Sequence, residues 1–243
     1  MITDTEVVDL GKVHGPLTYR LSYCTKDTDI AEVVAYFADK PFLLLDTETS
    51  GIDWKKEKLA TVQVGYPTGP DPRCFVVCVR SVSREALQPL WHILENGKLG
   101  ILGQNIKFEG LYLGNEFGVR LEGKGGLLDT QVAELVIRAG LFPETIGGAQ
   151  GANKKAYQAS SMAALCRRYL GVEIDKDKAL VTSFYTTPAG TLSRRQRVYA
   201  AGDVIYPFYI AKGQRKEIQA RKLTGVVDVE FAFLPVILEA QLK

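Results

Sequence analysis

No stretch of the sequence stays apolar for the ~18 residues that a membrane crossing takes, so no membrane-spanning helix is expected. The first twenty residues interleave Asp, Glu, Lys and Arg without a continuous apolar core, so no secretory leader is expected either. Paired cysteine spacing of the zinc-binding kind is missing. Cys24, Cys74, Cys78 and Cys166 are scattered, two of them inside the apolar run Cys74-Phe-Val-Val-Cys-Val79, which points to buried, reduced thiols in a cytoplasmic compartment. An excess of one charge is missing too. With 30 Lys and Arg against 28 Asp and Glu the formal net charge is +2, which excludes a strongly basic coat while leaving room for local basic patches.

What is present suits one α/β domain. A chain of 243 residues that is 46% hydrophobic, with a mean hydropathy of −0.02, can build a sizeable core, and global disorder is excluded. Period-two alternation predicts strands over 17–24 and 59–66, and apolar runs predict further strands over 41–48, 74–79 and 99–102. A Pro/Gly/Asp turn at 67–72 joins two of these as a hairpin-like meander. Helical spacing appears over 27–39, through Ile30, Val33, Val34 and Phe37, and over 83–95, with Ser83 as cap. A third helix starts at Asn105 with Phe108, Leu111 and Tyr112 on one face. Another begins at 127–130 with Asp129 near its N-terminus as a cap. The stretch 140–158, rich in Gly and carrying Lys154 and Lys155, reads as a long loop whose lysines face solvent or a phosphate backbone. Residues 160–170 form an amphipathic segment with Met162, Leu165 and Tyr169 inward. A long helix runs over 193–221, kinked or split at Pro207. The tail 226–242 reads as a final helix more apolar than a terminal helix needs, so something is expected to dock on it.

The stretch Pro41-Phe-Leu-Leu-Leu-Asp-Thr-Glu-Thr-Ser-Gly51 organises the rest. A core strand ends in Asp46 and Glu48 and then in a turn. Residues i and i+2 of a strand share a face, so the two carboxylates project together, ~7 Å apart along the backbone. Alone, such a pair is compatible with solvated acids at a strand end. Two further acids lie at helical positions: Glu109, one turn after Asn105, and Asp203, one turn after Tyr199. An all-oxygen donor set suits Mg²⁺ or Mn²⁺ rather than zinc.

Together these acids and their neighbours resemble the DEDDy branch of the DnaQ-like 3′→5′ exonucleases, and within it the proofreading domains of family A DNA polymerases (DNA polymerase I). Asp46-Thr-Glu48 is similar to the first motif, Gln104-Asn-Ile-Lys-Phe-Glu109 to the second, and Tyr199-Ala-Ala-Gly-Asp203 to the third. Leu128-Asp-Thr130, the segment 160–170 followed by Asp175-Lys176, and Leu192-Ser193 match secondary features. The likeness spans about 19–242, and Val229-Glu-Phe-Ala-Phe-Leu-Pro-Val236 resembles the lead-in to a polymerase domain. The resemblance implies an α/β ribonuclease H-like fold with a mixed sheet of about five strands, the first three antiparallel, helices on both faces and the acids at one edge. It implies a single exonuclease domain over 1–243, with a core of about 19–222 and a C-terminal helix over 223–243.

The same resemblance implies the chemistry. Two divalent ions, Mg²⁺ or Mn²⁺, would clamp the attacking and leaving oxygens of a phosphodiester. Asp46, Glu48 and Asp203 would hold the first ion, Asp46 would bridge to the second, and Glu109 would serve the second. Tyr199 would orient the attacking water through its hydroxyl. Thr47, Thr49, Ile52, Gln104 and Asn105 match positions that line the substrate cleft, with Ile52 packing on the last base. The implied substrate is a single-stranded or frayed DNA 3′ end, released as nucleoside 5′-monophosphates in proofreading, replication or repair. The implied setting is cytoplasmic, nucleoid-associated or virus-encoded in a host. A polymerase domain or replication protein is the implied protein partner.

Glu109 is the chief departure, since the family's second motif ends in Asp. One extra methylene moves a carboxylate by about 1.5 Å, where a catalytic constellation tolerates ~0.5 Å unless its surroundings adjust. Retained but altered activity is the expectation. The alternatives are a ribonuclease D-like trimmer of RNA 3′ ends and a catalytically weakened module that binds 3′ ends.

Overall fold

The computed structural model describes residues 2–12, 16–96, 98–122, 125–139, 159–174 and 177–243. The predicted loop at 140–158 and the Asp175-Lys176 match lie outside the described residues. The strands are β1 (Thr5–Lys12), β2 (Pro16–Cys24), β3 (Phe42–Thr49), β4 (Leu59–Tyr66), β5 (Arg73–Val77), β6 (Gly100–Gly103) and β7 (Leu127–Asp129). The helices are α1 (Asp29–Phe37), α2 (Arg84–Asn96), α3 (Ile106–Phe117), α4 (Thr130–Ile137), α5 (Met162–Leu165), α6 (Lys178–Thr186), α7 (Arg194–Ala220) and α8 (Thr224–Leu242). A single π-helical turn, Cys166–Leu170, continues α5.

One seven-stranded mixed sheet holds the chain together, in the order β1-β2-β5-β4-β3-β6-β7. The meander β3-β4-β5 is antiparallel, as expected, while β2 joins β5 and β6 joins β3 in parallel. The sheet exceeds the expected five strands by its two outermost members. In β1 the charges Glu6 and Asp9 blur the alternation, and only one of its adjacent valines is buried, Val8, while Val7 stays exposed. The three-residue β7 is too short to show a period and reads in sequence as the opening of α4. The acids lie where expected, at the edge of the sheet that its strand ends form. β3 is an interior strand between β4 and β6, so Asp46 and Glu48 sit toward its C-terminal end inside the molecule.

Two cores sandwich the sheet. On one side Leu43 and Leu45 pack with α1, α2 and α3 around Phe37, Trp91 and Tyr112. On the other, Leu44 packs beneath α7 with Ala200, Ala201, Val204 and Ile205. Alternation along β3 therefore points Leu44, Asp46 and Glu48 toward the α7 side. α7 runs unsplit through Pro207 for 27 residues. The missing proline hydrogen bond, which costs a helix interior ~3 kcal/mol, is offset by the buried face that α7 lays on the sheet. The four cysteines are buried thiols, none of them in a disulfide, and burial pushes the Cys24 and Cys74 thiols up. Among the described residues no helix is long and apolar enough to cross a membrane. α8 leaves Val226, Val229, Phe233, Val236 and Ile237 exposed, matching the excess of apolar surface read from the tail.

Candidate active site

The α7 side of β3 and β4 is built for close approach. Leu44 pairs with Gly65, Asp46 with Gln63 and Glu48 with Thr61, so this face reads apolar, then polar, toward the C-terminal end of β3. A Cβ on Gly65 would meet Val204 Cγ1 at 2.8 Å and Ile205 Cδ1 at 3.4 Å. The glycine thus lets α7 settle onto the sheet at Val204, next in sequence to Asp203. One turn earlier on α7, Tyr199 stands against the buried Phe184, ring centroids 6.0 Å apart. The start of α7 is fixed by a reciprocal cap between Ser193 and Gln196. Gln196 also donates to the hydroxyls of Ser183 and Thr187 at 3.0 and 2.9 Å, tying α6 to α7. Sequence and packing together bring the third motif over the strand that carries the first.

Glu109 arrives from the other side of the sheet. Asp129 accepts from the backbone N–H groups of Asn105 and Ile106 at 3.0 and 2.9 Å, and from Gln131 and Val132 at 2.7 and 3.3 Å. One carboxylate therefore caps α3 and α4 at once. It is a cap, as its position in the sequence implies, but it closes two helices. Asn105 takes a left-handed conformation, φ 61° and ψ 45°, at the sharp entry to α3, where Asn is better tolerated than most residues. This entry turns Glu109 inward until it is 3% exposed. Burial, then the charge of Asp46, then those of Asp129 and Glu48, push its carboxyl well above the ordinary carboxylate range. Its Oε2 has no hydrogen-bond partner among the described residues.

The remaining predicted positions fall in three places. Alternation sends Thr47 to the opposite face from the acids, where it is buried. Thr49 Oγ1 and Tyr112 Oη both donate to the carbonyl of Gly51, the latter at 2.7 Å, and so fix the turn beyond the acids. From that turn Ile52 projects into solvent, 88% exposed. Gln104 spends its amide locally, donating to Ser160 O at 2.8 Å and accepting from the Thr130 hydroxyl. The sequence reading passed over Gln63 and Thr61. Gln63 is fully buried, donates to Thr61 Oγ1 at 2.6 Å and leaves its Oε1 without a partner among the described residues. Their signal was visible as two polar residues alternating with Val62 and Val64 inside a core strand.

Among the described residues no three His, Cys, Asp or Glu side chains already form a group able to hold a metal ion. The fit to a divalent cation therefore rests on donor chemistry. Glu109, Asp46 and Glu48 offer oxygens only, they repel one another in a buried setting, and Glu109 keeps one oxygen unpaired.

Comparison with known proteins settles the family. Residues 21–219 match the family described as 3′-5′ exonuclease. The chain belongs to the 3′-5′ exonuclease family. As a member, this exonuclease is a phosphodiester hydrolase that acts at nucleic-acid 3′ ends. It is 25% identical over 185 residues to DNA polymerase I of Aquifex aeolicus (strain VF5), covering 75% of this chain and 25% of that one. The chain thus spans a quarter of the length of that curated relative. The exonuclease also shares its fold with the Escherichia coli exoribonuclease RNase D, involved in structured RNA processing. There the TM-score is 0.67 at 21% identity, over 90% of this chain and 50% of that one. Brucella melitensis NrnC with bound Mg²⁺ gives a TM-score of 0.62 at 21% identity, over 84% and 86% of the two chains. The fold of the exonuclease is ribonuclease H-like α/β, as the motifs imply.

Proposed function

We propose that this exonuclease removes nucleotides one at a time from single-stranded or frayed DNA 3′ ends, releasing nucleoside 5′-monophosphates. The observation that carries the reading is the inward-turned Glu109, with an unpaired carboxylate oxygen and a carboxyl pushed upward by burial first and then by the charges of Asp46, Asp129 and Glu48. Burying the Glu109 carboxyl beside other acids with one oxygen unpaired costs stability, which is the arrangement expected where a divalent cation binds.

Asp46, Glu48 and Asp203 would hold one divalent ion, and Glu109 with Asp46 a second. Bound there, Mg²⁺ or Mn²⁺ would neutralise the phosphodiester and acidify the attacking water. The chain's own groups supply position. Tyr199, packed on Phe184, orients the water by a hydrogen bond, a role that needs placement more than basicity. Ile52, held out from the turn that Thr49 and Tyr112 fix, packs against the terminal base. Asn105 lines the cleft, and Gln104 braces it through Ser160 and Thr130. Thr47 contributes through its backbone. Residues 1–243 act as one exonuclease domain, with α8 as the lead-in to a polymerase domain whose docking would cover its exposed valines.

DNA is favoured by the curated relative, a DNA polymerase, and proofreading or repair follows from that likeness. The likeness to RNase D supports the RNA reading. A panel of 5′-labelled DNA and RNA oligonucleotides separates the two, run with Mg²⁺ or Mn²⁺ beside Asp46→Ala. A ladder shortening from the 3′ end of DNA faster than of RNA, and lost in the variant, is the expected result. RNA shortened faster would reverse the assignment, and binding without cleavage would make the chain a 3′-end binding module.

A further inference from the structure

The end of β3 opposite the acids opens onto a cavity of about 510 Å³ between α7, α8 and the strands β6 and β7. That volume lies within the ~300–1,000 Å³ of small-molecule sites. Its lining is mostly apolar, with the rings of Phe42, Phe208 and Phe231 as its aromatic members. Phe42 and Phe208 stack, centroids 5.6 Å apart and planes 12° from parallel. Lys212 Nζ lies 4.4 Å from the Phe208 centroid, and Arg215 is one turn from Phe208's neighbour Ala211 on the same helix. Both cations are exposed and line the cavity. Two carboxylates line it as well. Asp129 is committed to four backbone amides, and Asp228 sits on α8, so two cations face one exposed acid.

Gln214 also lines the cavity and is 1% exposed. Its Nε2 donates to Thr130 O at 2.8 Å and to Glu134 Oε2 at 3.2 Å, which fixes α7 against α4 at the floor of the slot. The site therefore offers an apolar, aromatic-walled slot and two cations for an anion. A nucleotide unit combines the two matching features, a planar base and a phosphate.

We propose that this cavity is a second nucleotide-binding site, independent of the acid cluster, which takes a base against Phe42, Phe208 and Phe231 and its phosphate on Lys212 and Arg215. The proposal rests on the exonuclease reading only for choosing a nucleotide among planar anions. The unit comes either as a free mononucleotide or as part of a strand held away from the acids.

The test is equilibrium binding in EDTA, which separates it from catalysis. Probes are deoxyadenosine 5′-monophosphate and a short single-stranded DNA blocked at its 3′ end. The full chain is compared with Lys212→Ala/Arg215→Ala, with Ala211→Leu, which fills the slot without touching charge, and with Asp46→Asn. The expected result is metal-free binding that weakens at least tenfold in the first two variants and is unchanged in Asp46→Asn. Binding of the mononucleotide identifies the free nucleotide as ligand, and binding of the blocked strand alone identifies a strand segment. Absence of binding for both probes, or binding lost in Asp46→Asn and kept in the cavity variants, overturns the proposal and leaves the exonuclease reading intact.

Discussion

The two ends of β3 follow opposite rules. From Leu43 to Leu45 every side chain is at most 1% exposed and apolar, each packed into one of the two cores. Within three residues the strand carries Asp46 and Glu48, and the polar groups beside them, Glu109 Oε2 and Gln63 Oε1, lack partners among the described residues. The first half of the strand lowers the free energy of the fold, and the second half raises it. The same element therefore anchors the domain and stores the electrostatic tension that a divalent ion would relieve, which is the trade expected where a site conflicts with its scaffold.

Substitutions two residues apart should split these roles. Asp46→Ala should lower the 3′-end cleavage rate by about 10²–10³-fold or more while leaving the melting temperature unchanged or higher. Leu44→Ala should instead cost about 2–5 kcal/mol of stability in a denaturant titration. If Asp46→Ala unfolded the protein as Leu44→Ala does, the comparison would collapse. Gly65→Ala is next in size. Its Cβ would push on Val204, displacing α7 and with it Asp203, and a shift of about 1 Å should slow cleavage by about 10²-fold. Normal single-turnover rates in Gly65→Ala would show that the close approach at this glycine does not position the third motif.

Glu109 makes the polar half of the site sensitive to pH. Its folded carboxyl is pushed above the ordinary ~4.3 by burial and by Asp46, Asp129 and Glu48. The folded state then keeps a proton that the unfolded chain has lost, so metal-free stability falls as pH rises from the unfolded value through the folded one. Glu109→Gln should remove that slope and raise the metal-free melting temperature at neutral pH. A slope that persists in Glu109→Gln would place the titrating group elsewhere. Glu109→Asp should leave the cleavage rate unchanged or raise it, and a collapse would mean that the longer arm has become an integral ligand. The smallest effect is expected from Ile52→Ala, a few-fold rise in KM for a single-stranded end with kcat nearly kept.

Much of this was legible in the chain itself. The apolar run into Asp46 and Glu48 announced an interior strand and its acids, and Tyr199 and Asp203 announced one face of a long helix because period-two and 3.6-residue patterns are strong there. What stayed hidden was hidden for physical reasons. β1 mixes charge into its alternation, and β7 has too few residues for any period. Asp129 looked like the cap of one helix because its second pair of amides, on Asn105 and Ile106, comes from more than twenty residues away. Gln63 and Thr61 carried a signal, polar residues alternating inside a buried strand, that only register against Asp46 and Glu48 makes meaningful. The cavity beyond Phe42 could not be read at all, since it is assembled from β3, β6, β7, α7 and α8 by tertiary packing.

Thermal melting with and without Mg²⁺ or Mn²⁺ tells whether Asp46 and its fellow acids form a repulsive cluster matched to a divalent cation. Without a cation the wild type should melt at or below Asp46→Asn; adding the cation should raise the wild type by mass action and leave the variant unmoved. A wild type indifferent to both cations, together with an Asp46→Asn that melts well below it, would mean that Asp46 stabilises the fold and holds no cation.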